Sequence, residues 1–400
     1  MSGTALSDLK VLDFGWVAAV PILTLQLSLH GADVIRVESS ARPDASRATA
    51  PFIDAERRVS AAFGQLNANK RSLGLDLKQP GARELVLDLV EWADVVTENF
   101  RPGTLARLGL GYEVLAARNP KIVMLQSSSA GQTGPLSTMA ATGDLLQSLC
   151  GFTHLTGFPD EHPMPPWGAW TDITVPPIGA ASLLAAVRQA HRTGQGRLLD
   201  MSQMELSVAF LADQLIDAQL EGRSPTRQGN RDPQFVPHGV FRAAGADAWV
   251  AIAVTGDEQW RSLAAEMGRL DWADAVPTAA ERRAIEDEIE AAVEAWTRTQ
   301  DPAAVAARLQ TAGVDAVVVA DARAVLEDAQ LAHRDYFQHT ENPEVGPVMV
   351  AVSSFILSET PARAVTPAPE IGRDSWEVCT RVLGYSEEQT VELMALGAVE

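Results

Sequence analysis

Short, mainly apolar runs alternate with longer segments of helical period through the first half of the chain. The apolar runs lie at residues 11–14, 34–38, 94–97, 122–126 and 197–201. Strands buried on both faces of a parallel sheet have this composition, and helices of about ten residues or more connect them. The pattern therefore predicts an α/β fold with a doubly wound parallel sheet, whose ligand sites lie where loops leave the carboxyl ends of the strands.

The second half of the chain predicts a smaller α/β domain between two linkers. Helical periodicity continues to Leu220, and residues 221–237 are polar and rich in Gly and Pro. Strands are expected at 249–254 and 314–319, with an amphipathic helix at 280–298 and another helix that begins at Asp301 and Pro302. The predicted organisation is a large domain at 1–220, a linker at 221–237, a small α/β domain at 238–335, an extended linker at 336–365, and a return to the large domain at 366–400.

Composition narrows the class of protein. Four hundred residues exceed one ordinary core, and 46% apolar with 21% charged residues is typical of a globular protein. A formal charge of −20 argues against nucleic acid or an anionic membrane as the main partner. Residues 15–32 are apolar, but Pro21, Gln26 and His30 interrupt them, so we expect neither a signal peptide nor a membrane span.

Cysteine and lysine usage add two expectations. Two cysteines are too few for a disulfide framework or a zinc site, which favours a cytoplasmic location and no structural metal. The chain has four lysines, of which Lys70 and Lys78 lie close in sequence beside Arg71. On an acidic protein these three residues predict a local basic patch.

One carboxylate, Asp172, stands in an aromatic, Gly-containing loop before an apolar segment. We expect the following helix to start near Thr174, with Pro176 and Pro177 in its first turn, and to be buried over 178–187. The free N–H groups of that helix start would favour an ionised carboxylate. Asp172 is therefore a candidate nucleophile, and the alternative interpretation is a helix-capping residue.

The first βα turn argues against a dinucleotide-dependent oxidoreductase. Its sequence from Gly15 to Val20 is GWVAAV, which lacks the Gly-x-Gly-x-x-Gly fingerprint of such sites.

Three sequence motifs resemble the family III CoA-transferases. They are NANKRSLGLDLK at 67–78, ENFRPG at 98–103, and the segment from Thr171-Asp172 through LLAAVRQAHRTGQGRLLDMS to Ser202. The opening VLDF and GADVIRVE and the last helix also resemble the family, so the similarity extends over nearly the whole chain.

The resemblance implies a Rossmann-like large domain, a small α/β domain, and an interlocked dimer of identical chains or of this chain with a related subunit. It implies coenzyme A as a substrate, with no metal or redox cofactor, and Asp172 as the catalytic nucleophile. The residues implied for the CoA site are Leu75, Lys78, Asn99, Phe100 and Arg107. Those expected around the acyl group are Trp16, Ala18, Asp144 and Trp170.

Several positions depart from the formyl-CoA transferase branch of this family. Ala18 replaces a glutamine, Ser39 replaces an arginine, and Gly229-Asn230-Arg231 stands in place of a glycine-rich insert. If two or more of the aromatic side chains Trp16, Phe152, Trp167 and Trp170 line the pocket, they favour a bulky or aromatic acid over a small dianion. The alternative is that these side chains belong to the core.

The racemase branch is disfavoured, because its Gly-His-Asp motif is represented here by Thr142-Gly143-Asp144, and we expect His154 downstream to be a loop residue. We therefore predict transfer of CoA from an acyl-CoA to a carboxylic acid. The alternative is a CoA-binding, non-catalytic subunit of a heteromer, as in benzylsuccinate-type CoA-transferases.

Overall fold

The computed structural model describes residues 3–56 and 59–400, and its central element is a six-stranded parallel sheet. The strand order β3-β2-β1-β4-β5-β6 is that of the dinucleotide-binding Rossmann sheets, with its switch point between β1 and β4. This confirms the predicted fold class. The strands are β1 (Lys10–Phe14), β2 (Asp33–Glu38), β3 (Arg71–Gly74), β4 (Val95–Glu98), β5 (Val123–Ser128) and β6 (Arg197–Ser202).

Helices cover both faces of the sheet, because successive strand residues point to opposite sides. In β1, Val11 belongs to the core beneath α1 and α8, whereas Leu12 belongs to the core beneath α3 and α5. The helices of this half are α1 (Ala19–Leu29), α2 (Ala61–Leu66), α3 (Ala82–Trp92), α4 (Thr104–Arg107), α5 (Tyr112–Arg118), α6 (Gly143–Leu149), α7 (Phe152–Leu155), α8 (Trp170–Thr193), α9 (Gln203–Val208) and α10 (Ala212–Glu221).

The smaller compact unit comprises residues 153–165 and 217–329. Its antiparallel sheet has the order β7-β8-β9, and the fully buried Trp260 lies in its core. The predicted helix at 280–298 is in fact two helices, which separate at Ile285. The elements are β7 (His238–Arg242), β8 (Trp249–Ala253), α11 (Asp257–Glu266), α12 (Leu270–Ala275), α13 (Ala279–Ala284), α14 (Glu286–Thr297), α15 (Pro302–Thr311), β9 (Asp315–Val318) and α16 (Ala322–Leu326). Helix α17 (Ala329–His333) follows where the chain passes into the larger unit.

Residues 330–400 belong to the larger unit, and the segment predicted as an extended linker at 336–365 carries a β-hairpin. Val350 and Val352 pack against Leu25 and Leu29 of α1, so apolar burial fixes this segment. The chain then returns to β3, where Glu400 N–H donates to the Gly74 carbonyl at 2.9 Å. The elements are β10 (Phe337–Asn342), β11 (Gly346–Ala351), α18 (Ser375–Glu377), a π-helical turn (Val378–Val382) and α19 (Glu387–Ala395).

Helix α8 differs from the prediction at its start. It begins at Trp170, so Asp172 lies in its first turn and the two prolines lie inside the helix. Proline lacks an N–H, so the Asp172 and Ile173 carbonyls have no donor from Pro176 and Pro177 four residues on. Its length and apolar composition would also suit a membrane span, but 44% of the apolar stretch is buried and α8 packs on α1 in the core.

The length of α8 sets the position of Asp172. Its 24 residues span about 36 Å, whereas the six residues of β6 that follow it span about 20 Å. Because α8 ends where β6 begins, its N-terminal turns project beyond the carboxyl edge of the sheet. Asp172 therefore lies on the side of the sheet where Rossmann folds bind ligands.

Candidate active site

The switch point of the sheet is closed by paired hydrogen bonds between the loops after β1 and β4. Trp16 N–H donates to Asn99 Oδ1 at 2.7 Å, and Asn99 Nδ2 donates to the Trp16 carbonyl at 2.8 Å. The Trp16 and Phe100 rings meet edge to face with centroids 5.7 Å apart. The structure thus brings together Asn99 and Phe100, predicted for CoA, and Trp16, predicted for the acyl group.

A network of buried, charged side chains fixes the conformation of the β1–α1 loop. Arg36 is fully buried, donates to the Gly15 carbonyl at 2.7 Å, and forms a short ion pair with Asp44. Asp44 in turn accepts the Val17 N–H at 3.0 and 3.2 Å. Val17 has φ = 63°, a left-handed conformation that a β-branched residue rarely adopts. The loop is therefore held in one conformation by groups that are themselves buried and paired.

The prediction of a surface basic patch is wrong for Lys70. Its side chain is completely buried, and the ammonium group lies 3.3 Å from Asp13 and 2.9 Å from Asn67 Oδ1. Burial lowers the Lys70 pKa to about 8, against the opposing effect of the Asp13 charge. Asp13 also accepts from Gly15 N–H and Thr97 Oγ1. Lys70 is therefore part of the structural support of the β1 loop.

The remaining predicted CoA residues follow β3 and β4. Leu75 is buried in the core, and its N–H donates to the Glu38 carbonyl. Lys78 is exposed in the next turn, where its N–H donates to Asp76. Arg107 is exposed in α4 and bonds Thr104 Oγ1 at 3.0 Å. These two cations extend along the carboxyl edge of the sheet.

Ala18 is the N-cap of α1 and provides no side-chain hydrogen bond to the helix start. In the described part of the chain no side chain caps the start of α1, which presents the N–H groups of Ala19 and Val20, because Pro21 has none. Helix starts of this kind attract phosphate groups.

Asp172 is partly buried against the start of α6. A Cβ placed on Gly143 would lie 2.6 Å from Asp172 Oδ2 and 2.4 Å from Ala169 Cβ. Only glycine at this position lets the carboxylate approach the α6 backbone so closely. Within the described residues, the Asp172 carboxylate has no cation or hydrogen-bond donor as a partner.

The electrostatics of Asp172 run opposite to the prediction. Burial, and secondarily the Asp144 charge, raise the Asp172 pKa from 3.8 to about 6. The position at a helix start agrees with the sequence interpretation, but desolvation outweighs the expected stabilisation of the anion. A carboxylate that is ionised at neutral pH yet poorly solvated is a good nucleophile.

Gln147 was not predicted, although it supports the start of α8. Its side chain is fully buried, and Nε2 donates to the Pro166 and Gly168 carbonyls at 3.3 and 3.2 Å. Its Oε1 accepts the Trp170 N–H at 3.3 Å. Gln147 therefore ties the loop that precedes Asp172 to α6. Nothing in the sequence distinguishes it from a surface glutamine, because its partners are backbone groups about twenty residues away.

Glu98, the first residue of the ENFRPG motif, was not predicted as a site residue. It is completely buried, accepts Phe100 N–H at 2.6 Å and Gln126 Nε2 at 2.7 Å, and burial raises its pKa to about 7. It thus holds the Asn99–Phe100 turn in place.

The aromatic residues near Asp172 lie largely in the open. Trp170 opens α8 two residues before Asp172, and Trp170, Trp167 and Ile173 are all exposed. Phe152 is partly buried. In the described part of the chain, no group of three or more His, Cys, Asp or Glu side chains is arranged to hold a metal ion.

The fold is that of an α/β protein, and the predicted site residues define a candidate ligand site at the carboxyl edge of its Rossmann sheet. The sequence model of CoA-transferase family III matches residues 6–375. The chain belongs to that family.

Individual relatives support the assignment. The chain is 33% identical to the probable CoA-transferase Rv1866 of Mycobacterium tuberculosis over 98% of its own length, and it spans about half (50%) of that longer protein. It is 30% identical to the succinyl-CoA–D-citramalate CoA-transferase of Chloroflexus aurantiacus, over 98% of this chain and 97% of the relative. The crystal structure of a CaiB/BaiF family protein from Brucella suis superposes with a TM-score of 0.87 at 30% identity, over 95% of this chain and 100% of that one.

Proposed function

We propose that this protein transfers CoA from an acyl-CoA to a carboxylic acid through covalent intermediates on Asp172. The observation that carries the proposal is the Asp172 carboxylate itself. Among the described residues it has no cation or hydrogen-bond donor as a partner, and it is desolvated and packed on Gly143 at the carboxyl edge of the sheet.

The chemistry needs a carboxylate nucleophile, because the thioester energy must be conserved between two acids. An Asp172 oxygen attacks the donor thioester carbonyl, the C–S bond breaks, and CoA leaves as the thiolate while a mixed anhydride forms. The thiolate then attacks the Asp172 carbonyl of the anhydride, which releases the donor acid and leaves an aspartyl-CoA thioester. The acceptor carboxylate repeats both steps in reverse, forms the new acyl-CoA and restores Asp172.

The substrate-binding elements agree with this sequence of steps. CoA carries a pyrophosphate and a ribose phosphate, for which exposed Lys78 and Arg107 and the uncapped start of α1 offer cations and N–H donors. The buried support beneath Trp16 and Val17 keeps this surface in place before CoA arrives, which reduces the ordering cost of binding.

The exposed indoles of Trp167 and Trp170, which precede Asp172 closely in sequence, support an acid with a bulky, apolar body. The relative from Chloroflexus aurantiacus is named for succinyl-CoA as donor. Succinyl-CoA is therefore the first donor to test, against a panel of aromatic, branched and dicarboxylic acceptors analysed by mass spectrometry.

Trapping of the intermediate tests the proposal. The purified chain alone, incubated with an active acyl-CoA donor, should carry CoA covalently on the peptide that contains Asp172. Hydroxylamine should convert this residue to a hydroxamate of defined mass. A demonstrated transferase activity without any adduct on that peptide would contradict the mechanism, and a chain that binds CoA but is inactive without a partner would favour a non-catalytic subunit.

A further inference from the structure

The turn that follows β2 is fixed and presents one exposed arginine, Arg42. Arg42 N–H donates to the Ser39 carbonyl at 3.1 Å, and Ser39 Oγ accepts the Ala41 N–H at 3.2 Å. The Glu400 carboxylate accepts Ser39 Oγ–H at 2.9 Å and Ser40 N–H at 2.7 Å. The backbone at the base of Arg42 is therefore anchored on two sides.

The Arg42 side chain reaches back to the switch point of the sheet. Its guanidinium carbon lies 5.2 Å from the centre of the Trp16 ring, which packs against Phe100, while Asn99 binds the Trp16 backbone. Stacking of this kind supports the planar group and leaves its N–H edge available for an anion. Across residues 3–56 and 59–400, Arg42 has no carboxylate or carbonyl partner for its side chain.

The neighbouring cations already form ion pairs with carboxylates. Arg36 and Lys70 are completely buried and paired within the network beneath the loop. Arg47 forms two hydrogen bonds to Glu38, at 2.8 and 3.0 Å. Among the described residues, Arg42 is thus the cation near the end of β2 that remains free to bind a ligand.

The position after the second strand has a defined role in sheets of this order. A bound dinucleotide places its pyrophosphate at the start of the first helix and its adenosine ribose near the end of the second strand, where an acidic residue binds a hydroxyl or an arginine binds a phosphate. Glu38, the acidic residue here, is buried and bonded to Arg36 and Arg47, so it is not available to a ribose hydroxyl.

We propose that Arg42, supported by the Trp16 ring, binds the 3′-phosphate on the adenosine ribose of CoA. This inference rests on the proposed function, because it requires that CoA binds at the switch point. It assigns to Arg42 the selection of CoA over nucleotides that lack a ribose phosphate.

Binding of CoA and of 3′-dephospho-CoA, measured by titration calorimetry with the wild type and with Arg42→Ala, tests this assignment. The wild type should prefer CoA by about ten- to a hundredfold, or about 1.4–2.8 kcal/mol. Arg42→Ala should lose that preference because its affinity for CoA falls while its affinity for 3′-dephospho-CoA changes less than about twofold, within the error of such a comparison. Arg381→Ala is the matched control, since Arg381 is highly exposed, forms a surface ion pair with Glu377 at 3.5 Å, and gives the same charge change.

The outcomes separate the two proposals. A wild type that binds CoA but does not discriminate against 3′-dephospho-CoA, or an Arg42→Ala variant that keeps the discrimination, overturns the role of Arg42 and leaves the CoA-transferase proposal intact. An equal loss of affinity for both ligands also overturns it, because the contact is then not with the 3′-phosphate. Absence of CoA binding by the wild type overturns the proposed function and this inference together.

Discussion

Replacement of Asp172 by Asn should abolish transfer activity and at the same time stabilise the larger unit at neutral pH. Asn has nearly the same shape, but its amide cannot form the anhydride. A capping role predicts the reverse pattern, because Asn caps helices about as well as Asp. Asp172 is not the N-cap of α8, which is Ala169, and it makes no cap hydrogen bond.

The stability change follows from the raised pKa. The Asp172 pKa rises from 3.8 to about 6 in the folded protein, so the native state disfavours the charged form. The cost is absent below pH 3.8, grows between that value and about 6, and is complete above about 6. A shift of about 2 pKa units corresponds to about 3 kcal/mol at pH 7. Since the buried Asn amide also loses solvation, about 3 kcal/mol is the upper bound for the gain.

The assay compares denaturant midpoints of wild type and Asp172→Asn from pH 3.5 to 8. Midpoints are preferred to one unfolding free energy, because a chain of two compact units need not unfold in a single step. The variant should be more stable at pH 7.5, and the difference should vanish near pH 3.5. Retained turnover, or a variant less stable than wild type at pH 7.5, would refute the reasoning.

Three further predictions concern the same site. Asp144→Asn should move the acidic limb of the rate–pH profile to lower pH by less than about one unit, because the Asp144 charge is the smaller of the two causes of the raised Asp172 pKa. An acidic limb that does not move would show that the two carboxylates do not interact. Lys78→Ala and Arg107→Ala should each weaken CoA binding about ten- to a hundredfold in equilibrium titrations, from about 1.5–3 kcal/mol per charged hydrogen bond, and full affinity in both would place the CoA phosphates elsewhere. Gln147→Glu should lower kcat with little effect on CoA affinity, because Glu cannot donate to the Pro166 and Gly168 carbonyls that position the start of α8. Equal changes in kcat and CoA affinity would instead indicate a general loss of structure.

The sequence by itself determined the parallel sheet and the candidate nucleophile. Apolar strand runs and helical periods report which face of each element is buried, and these alternate along the first half of the chain as the strands and helices do. The same information located β1, β2, β4 and β5 to within a few residues, because both faces of these strands are covered. It also located β6, although the first four residues of that strand alternate between half-buried and exposed. Local motifs around Asp172 and Asn99 pointed to the two chemical parts of the site.

Tertiary structure decided which charged and polar groups are free to act. Lys70 resembles a surface lysine in sequence, yet it is buried because Asp13, 57 residues earlier, lies beside it across the sheet. Gln147 is held by distant backbone groups, and Arg42 lies over the Trp16 ring. No local sequence pattern specifies these contacts. The direction of the Asp172 pKa shift is opposite to the prediction for the same reason. Periodicity indicates that a residue is near a helix start, but it does not indicate how much water the neighbouring helix excludes from the carboxylate.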